Sequence, residues 1–347
     1  MQPTNGETDM LGRRELGRMA AGTLGLAATL QAARPAALRA QGAGAGTGAF
    51  PTHPLRWVVG YPPGGASDVF ARLIGAQMSG VLGQNVVVEN RPGGGAVLAS
   101  ETVARAAPDG YTLLHVDNGI LVYNPALYSR LPLDPDKDLA GVGFIGRFPL
   151  FLVVRPDDPA RTFADYVAAT RQRVPTYGSP AVASPHHLAM ELLKRRAGGF
   201  EATHVPYRGA PAAMQDLLAG AVDSVMVDCA TGIPFLRDGK ARALLVMSEA
   251  RSASARDVPT ALELGHAGAV AYGWQGMSVP AGVPAPVVQQ LNTALNRATA
   301  SGELQARMQT LGIEPAPWTP AEFSAFVEKE IALWRPLIRE LGIRLDS

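Results

Sequence analysis

From residue 55 onward, short apolar runs alternate with longer stretches whose apolar residues recur at three- and four-residue spacing. Those two periods predict strand and helix in turn. Strands separated by helices of about ten residues make βαβ units on a parallel sheet. Residues 56–60, mostly apolar, are ended by Tyr61-Pro62-Pro63-Gly64-Gly65. Prolines cannot continue a hydrogen-bonded ladder, and glycines let the backbone turn sharply. Beyond them Val69, Leu73, Ile74, Met78 and Leu82 form one face of a helix, with Ser67 or Asp68 placed to cap it. Strand, glycine-rich loop and helix N-terminus together leave open N–H groups and a positive dipole end, which suits an anion. The plain alternative is a tight turn with an ordinary cap.

The alternation continues. Residues 86–89 read as a strand, Asn90-Arg91-Pro92-Gly93-Gly94-Gly95 as a second glycine-rich loop, 96–106 as a helix and 111–116 as a third strand ending at Asp117-Asn118-Gly119. In such sheets ligands gather beyond the carboxyl ends of the strands, so Asn118 is expected to face the same crevice. Residues 150–154 form a strand, and Arg155-Pro156-Asp157-Asp158-Pro159 predicts a crossing into a second lobe. There, 163–173 and 210–218 read as helices, and 176–178, 202–205, 221–227 and 241–247 as strands. Ser184 before Pro185 is a strong helix start. Residues 272–279 predict the return, and 286–300, 303–311 and 321–341 a helical tail. The expected lobes are therefore 55–154 with 272–347, and 155–271. The space between two lobes is a common small-molecule site. Both lobes aim helix N-termini at it, so an anion with two negative ends is expected to be held by N–H groups and hydroxyls instead of arginines.

The first forty residues differ from the rest. Arg13-Arg14 precede an uncharged Ala/Gly/Leu stretch, the layout of an export signal of the twin-arginine kind. Residues 41–54 are expected to be a flexible linker. Residues 1–40 hold five of the 31 basic and three of the 30 acidic side chains, which leaves 26 against 27. With no basic stripe and no run of like charge, nucleic acid is not an expected partner. The single cysteine, Cys229, excludes an internal disulfide and a cysteine-based zinc site, and reads as a small core residue.

Motifs of catalysis fit poorly. No Lys-Ser/Thr follows the first glycines, so there is no Walker pattern. Gly65-Ala66-Ser67-Asp68-Val69 has Val where a nucleophile elbow needs Gly. Gly141-Val142-Gly143-Phe144-Ile145-Gly146 lies inside a strand-like run and opens no helix. His187 and Glu191 stand one helical turn apart, but no third metal ligand accompanies them. An exported hydrolase using Ser67 or Ser184 with His186 or His187 is the enzymatic alternative. It needs a base beside the nucleophile and an acid to orient it.

Several motifs occur in order: Tyr61-Pro62-Pro63-Gly64-Gly65 with Asp68, Glu89-Asn90-Arg91-Pro92-Gly93, Ala107-Pro108-Asp109-Gly110-Tyr111, Asn124-Pro125, Val205-Pro206-Tyr207-Arg208-Gly209 and Asp257-Val258-Pro259-Thr260. Together, over residues 54–343, they resemble the Bug-type solute receptors, the extracytoplasmic binding proteins of tripartite tricarboxylate transporters. The resemblance implies an α/β, two-lobed periplasmic-binding-protein fold of type II, each lobe a central sheet flanked by helices. It implies a small carboxylate ligand in the interlobe cleft, a transporter or sensor as partner, a periplasmic location, a monomer, and no cofactor, metal or catalytic residue. One carboxylate is expected at the first loop, held by backbone groups and bridging waters. Carried over by position, Tyr61, Pro63, Gly64, Gly65 and Asp68 match the first-lobe loop. Ser179, Ser184 and His187 match the second-lobe loop and helix start, and Tyr207 and Asp228 match later loops. Gly65 is expected to be a position where a side chain would obstruct the ligand and φ is positive. Asp68 can instead be a first-turn carboxylate serving the helix dipole, Ser184 a cap, and Tyr207 packing. The chain departs from the family pattern at Tyr61 (usually Phe), Arg208 (usually Lys) and Pro180-Ala181 (usually Ala-Gly), the last of which stiffens the second-lobe loop.

Overall fold

The computed structural model describes residues 50–346. The expected export signal, and the linker up to residue 49, lie outside the described residues.

In chain order the elements are β1 (Leu55–Val59), α1 (Ala66–Leu82), β2 (Val86–Asn90), α2 (Val97–Ala104), β3 (Thr112–Asp117), α3 (Asn124–Leu127), α4 (Pro135–Asp138), β4 (Leu139–Val154), α5 (Phe163–Thr170) and β5 (Thr176–Ser179). They continue as α6 (Pro185–Arg196), β6 (Thr203–Pro206), α7 (Ala210–Ala219), β7 (Ser224–Asp228), α8 (Cys229–Arg237), β8 (Arg242–Val246), β9 (Tyr272–Pro280), α9 (Ala285–Thr299), α10 (Gly302–Thr310) and α11 (Pro320–Leu341).

The strands follow the order β2-β1-β3-β9-β4-β7-β5-β6, with β8 also on β4. The βαβ units give parallel pairs at each end, β1 with β2 and β3, and β5 with β6 and β7. Between them β9 and β4 run antiparallel to their neighbours, so the sheet is mixed. β4 is one unbroken strand of 16 residues. Its first part pairs with β9 from Leu139↔Pro280 to Pro149↔Tyr272, and residues 150–154 pair with β7 and β8. The change of partner thus falls at Pro149/Leu150. Residues 155–159 follow directly on the end of that strand.

One buried cluster, including Val58, Leu114, Trp274, Leu152, Tyr177 and Met226, runs through both ends of the sheet, and each end has a further cluster on its other face. Trp57, Phe70, Ile74 and Met78 pack with Leu291 and Leu295 of α9 on one. Phe151, Val153, Met214, Leu217 and Val225 pack on the other, where Cys229 is 2 % exposed. Burial pushes the Cys229 thiol up to about 12, so it remains protonated as an inert core side chain. Every residue of β9 is buried. Gly273 on that strand lies against the Phe148 ring, and a Cβ there would stand 2.0 Å from it, so a side chain would force the ring to shift. No helix among the described residues is long and apolar enough to cross a membrane.

Candidate functional site

Residues 62–66, between β1 and α1, are exposed. The N-cap of α1 is Gly65, at φ −73° and ψ 167° with no side-chain cap, and not Ser67 or Asp68. The positive φ belongs to Gly64, at 81°; Gly65 is extended, contrary to expectation. Asp68 sits in the first turn, 3 % exposed. Its Oδ2 accepts from the Gly64 N–H at 2.8 Å and Arg72 Nε at 3.1 Å, and its Oδ1 from Asn90 Nδ2 at 2.8 Å. The Arg72 bond, against the opposing cost of burial, brings its carboxyl down to about 2. With both oxygens engaged, Asp68 holds the loop shut on itself. The first N–H groups of α1 have no intrahelical partner and point outward. Tyr61 donates its hydroxyl to Asp117, a contact inside the first half of the sheet. Burial raises the pKa of both partners. Pro63 is exposed on the loop.

Asn118 does not face a crevice. It is 1 % exposed; its Oδ1 accepts from Trp274 N at 2.9 Å, and its Nδ2 donates to Tyr272 O at 3.2 Å. Its amide stitches the end of β3 to β9.

In the second half, residues 179–184 form the loop between β5 and α6. Ser184 caps α6, accepting from His187 N at 3.2 Å and donating to Ala181 O at 2.8 Å, with Pro185 in the first turn as expected. Ser179 is fully buried, bonded to Ala181 O at 3.0 Å and to His204 Nε2 at 2.7 Å. His187 Nδ1 accepts from Ala183 N at 2.9 Å. Glu191 accepts from Tyr177 at 2.7 Å and from Lys194 at 3.0 Å, and so is turned toward those groups. Tyr207 gives its hydroxyl to Asp216 at 2.8 Å, so its polar end faces α7. The hydrolase arrangement is not assembled: Ser184 is bonded to backbone, Ser67 Oγ meets Gln275 Nε2 at 3.4 Å, and His186 Nε2 contacts Asp228 at 3.2 Å.

A cavity of about 320 Å³ brings the two ends of the sheet together. Gly64, Ala66, Val69 and Phe70 line it from α1 and its loop, Gln275 from β9, Phe148 from β4, Asp228, Ala230 and Thr231 from the start of α8, and Arg307, Leu311 and Ile313 from α10 and the chain beyond it. Asp228 caps α8 through Thr231 N at 2.9 Å. Burial would raise its carboxyl, but the contacts with His186 and Thr231 outweigh it and hold it below its ordinary value. Of the sequence-derived site residues, Gly64 and Asp228 line this cavity. The sequence gives no local sign of Phe148, Thr231, Gln275 and Arg307. Their patterns are those of ordinary strand, helix-cap and solvent-face positions, and long-range packing alone brings them here. Arg307 is exposed and has no ion-pair partner among the described residues, so a cation does border the space where none was expected.

The sequence pattern of the tripartite tricarboxylate transporter family receptor matches residues 70–343. The chain belongs to this family. BugT of Bordetella pertussis is 32% identical over 85% of this chain and 91% of its own length. Rpa4515 of R. palustris, solved with adipate, is 33% identical with a TM-score of 0.73, covering 85% of this chain and 100% of that one. MatC of Rhodopseudomonas palustris, solved with bound malate, is 32% identical with a TM-score of 0.71, over 83% and 100%. Membership of this family gives no support to the hydrolase alternative.

Proposed function

We propose that this receptor is exported to the periplasm, closes on a small carboxylate without transforming it, and delivers it to a membrane transporter or sensor. The observation that carries the reading is family membership together with two relatives whose structures hold adipate and malate. The lobes are 50–149 with 272–346, and 150–271, hinged where β4 changes partner. One carboxylate meets the open N–H groups at Ala66 and Ser67, on the loop that Asp68 shapes, with Tyr61 and Pro63 bordering it. Arg307 adds positive charge at the rim, and the distal end of the ligand meets the 179–184 loop and the Asp228 wall. Asn118, Ser179 and Tyr207 act behind the surface, through the groups they bond. Residues 1–40 serve as a twin-arginine signal, and the exported form is a monomer.

A melting-temperature panel of mono-, di- and tricarboxylates, amino acids and aromatic acids tests this. At a hundredfold excess over Kd a ligand adds about 2.7 kcal/mol, a rise of several degrees at roughly 2–4 °C per kcal/mol for a chain of this size. No shift with any carboxylate overturns the receptor reading; consumption of the ligand overturns the absence of catalysis.

A further inference from the structure

His187 and His204 stack face to face, ring centroids 3.8 Å apart and planes 8° from parallel. Ser179 Oγ lies 2.7 Å from His204 Nε2 and 3.0 Å from Ala181 O, so the serine ties the ring to the loop. His187 Nδ1 accepts from the Ala183 N–H, so its own hydrogen is on Nε2. Between these contacts the chain from 179 to 184 is held in a shape it would not choose. Ala183 is at φ 57°, the left-handed region that costs an alanine about 1–2 kcal/mol. The loop is also tied to the next one, Tyr207 N donating to Ser179 O at 2.9 Å and Gly209 N to Pro180 O at 3.0 Å. What this shape leaves open is two adjacent donors: Ala181 and Val182 are exposed, and their N–H groups have no partner among the described residues. The first turn of α6 also reaches the cavity, since His186 touches Asp228.

We propose that His204 is a positioning residue for ligand capture: stacked on His187 and bonded to Ser179, it holds the 179–184 loop so that the Ala181 and Val182 N–H groups receive the distal end of the carboxylate. This rests on the receptor function proposed above. The neutral state of the pair is part of the device. A proton on His187 Nδ1 would set a donor against the Ala183 N–H, and a charge on either ring would stand against the other. Lys194 repels a charge on both rings, while Glu191 favours one on His204; Tyr177, 5.0 Å from His204, packs against the pair. Burial dominates and draws the imidazoles down to about 3 for His187 and about 4 for His204.

The test needs no ligand for its first part. In the folded protein at pH 7, amide exchange at Ala183 should be at least about tenfold faster in His204→Ala than in the parent. His204→Phe, which keeps the stack and loses the bond to Ser179, should fall between them. By proton resonance, the His187 titration should move upward in His204→Phe, because a charged neighbour is no longer possible. Equal Ala183 exchange in parent and His204→Ala, or a His187 titration that does not move, overturns the proposal. Malate and adipate melting shifts are then compared in parent and variants. A parent that responds and a folded His204→Ala that responds tenfold more weakly supports the positioning role; an undiminished response in a variant with a loosened loop overturns it. If the parent responds to no carboxylate in the panel, it is the receptor reading that fails, and the ligand role of His204 fails with it.

Discussion

Gly64 and Asp68 are joined by a 2.8 Å hydrogen bond from a backbone N–H to a side chain four residues ahead. This bond turns a carboxylate that would repel an anionic ligand into the part that shapes the loop proposed to receive it. Asp68→Asn keeps one acceptor but sets an amide donor among Arg72, Asn90 and Gly64, and should cost about 1–3 kcal/mol at pH 7. The folded carboxyl lies near 2 against an ordinary 3.8. Its contribution is therefore present above about pH 4 and is lost as the pH falls toward 2. Denaturant titration of both proteins across that range should show the difference shrinking; a constant gap would mean the charge is not what matters.

Gly64 and Gly65 should separate stability from binding. Gly64→Ala has open space but must hold φ 81°, and should lose roughly 1–2 kcal/mol of stability. Gly65→Val faces no such strain, since the backbone is extended and the nearest atom to a Cβ is Pro62 O at 3.5 Å. It should melt like the parent yet bind malate or adipate more than tenfold more weakly, about 1.4 kcal/mol. Calorimetric titration with far-UV dichroism as control decides; full affinity in folded Gly65→Val would move the ligand elsewhere.

Glu330 accepts from the indoles of Trp274 at 2.9 Å and Trp334 at 3.1 Å on the same oxygen, Oε2. Burial pushes its carboxyl up to about 7 from 4.5. A raised acid leaves the fold most stable below pH 4.5, and stability declines as the pH rises through 7. Glu330→Gln keeps the shared acceptor without the ionisation. It should be more stable than the parent at pH 8, by on the order of 3 kcal/mol, and equal to it near pH 4.5. No gain at pH 8 would mean the carboxylate is better solvated than its surroundings indicate.

His115 lies fully buried on β3, and neither ring nitrogen has a hydrogen-bond partner among the described residues. Burial pulls its pKa from 6.5 to about 4. The unfolded chain binds the proton that the folded one refuses, so stability is full above pH 6.5 and is lost as the pH falls toward 4. His115→Leu should flatten that slope by up to one proton. An unchanged slope in acid denaturation would show that other groups set it.

Parts of the fold and of the loop architecture are legible from local chemistry alone. Proline and glycine end β1 in the predicted place, and Ser184 with Pro185 starts α6. What stays hidden is whatever depends on partners far along the chain. Asn118 looks like a crevice residue until β9 supplies Tyr272 O and Trp274 N to its amide, more than 150 positions later. Serine and aspartate usually cap helices, so the sequence points to a side chain at the N-cap of α1, whereas the aspartate reaches back past an uncapped glycine. Arg307 reads as one more charge on the outer face of a helix, and only the packing of α10 brings it to the cavity.

The seating of Phe148 on Gly273 has a consequence for how ligand preference can change. The ring forms part of the cavity wall, yet its depth there is fixed by a backbone position behind it, where a single methyl group would come within 2.0 Å of the ring. Gly273→Ala would force the ring to shift, and with it one wall of the cavity. The shape of the cavity is thus governed from a residue with no side chain, and under the proposed function a lineage could change its diet by a substitution that never touches the meal.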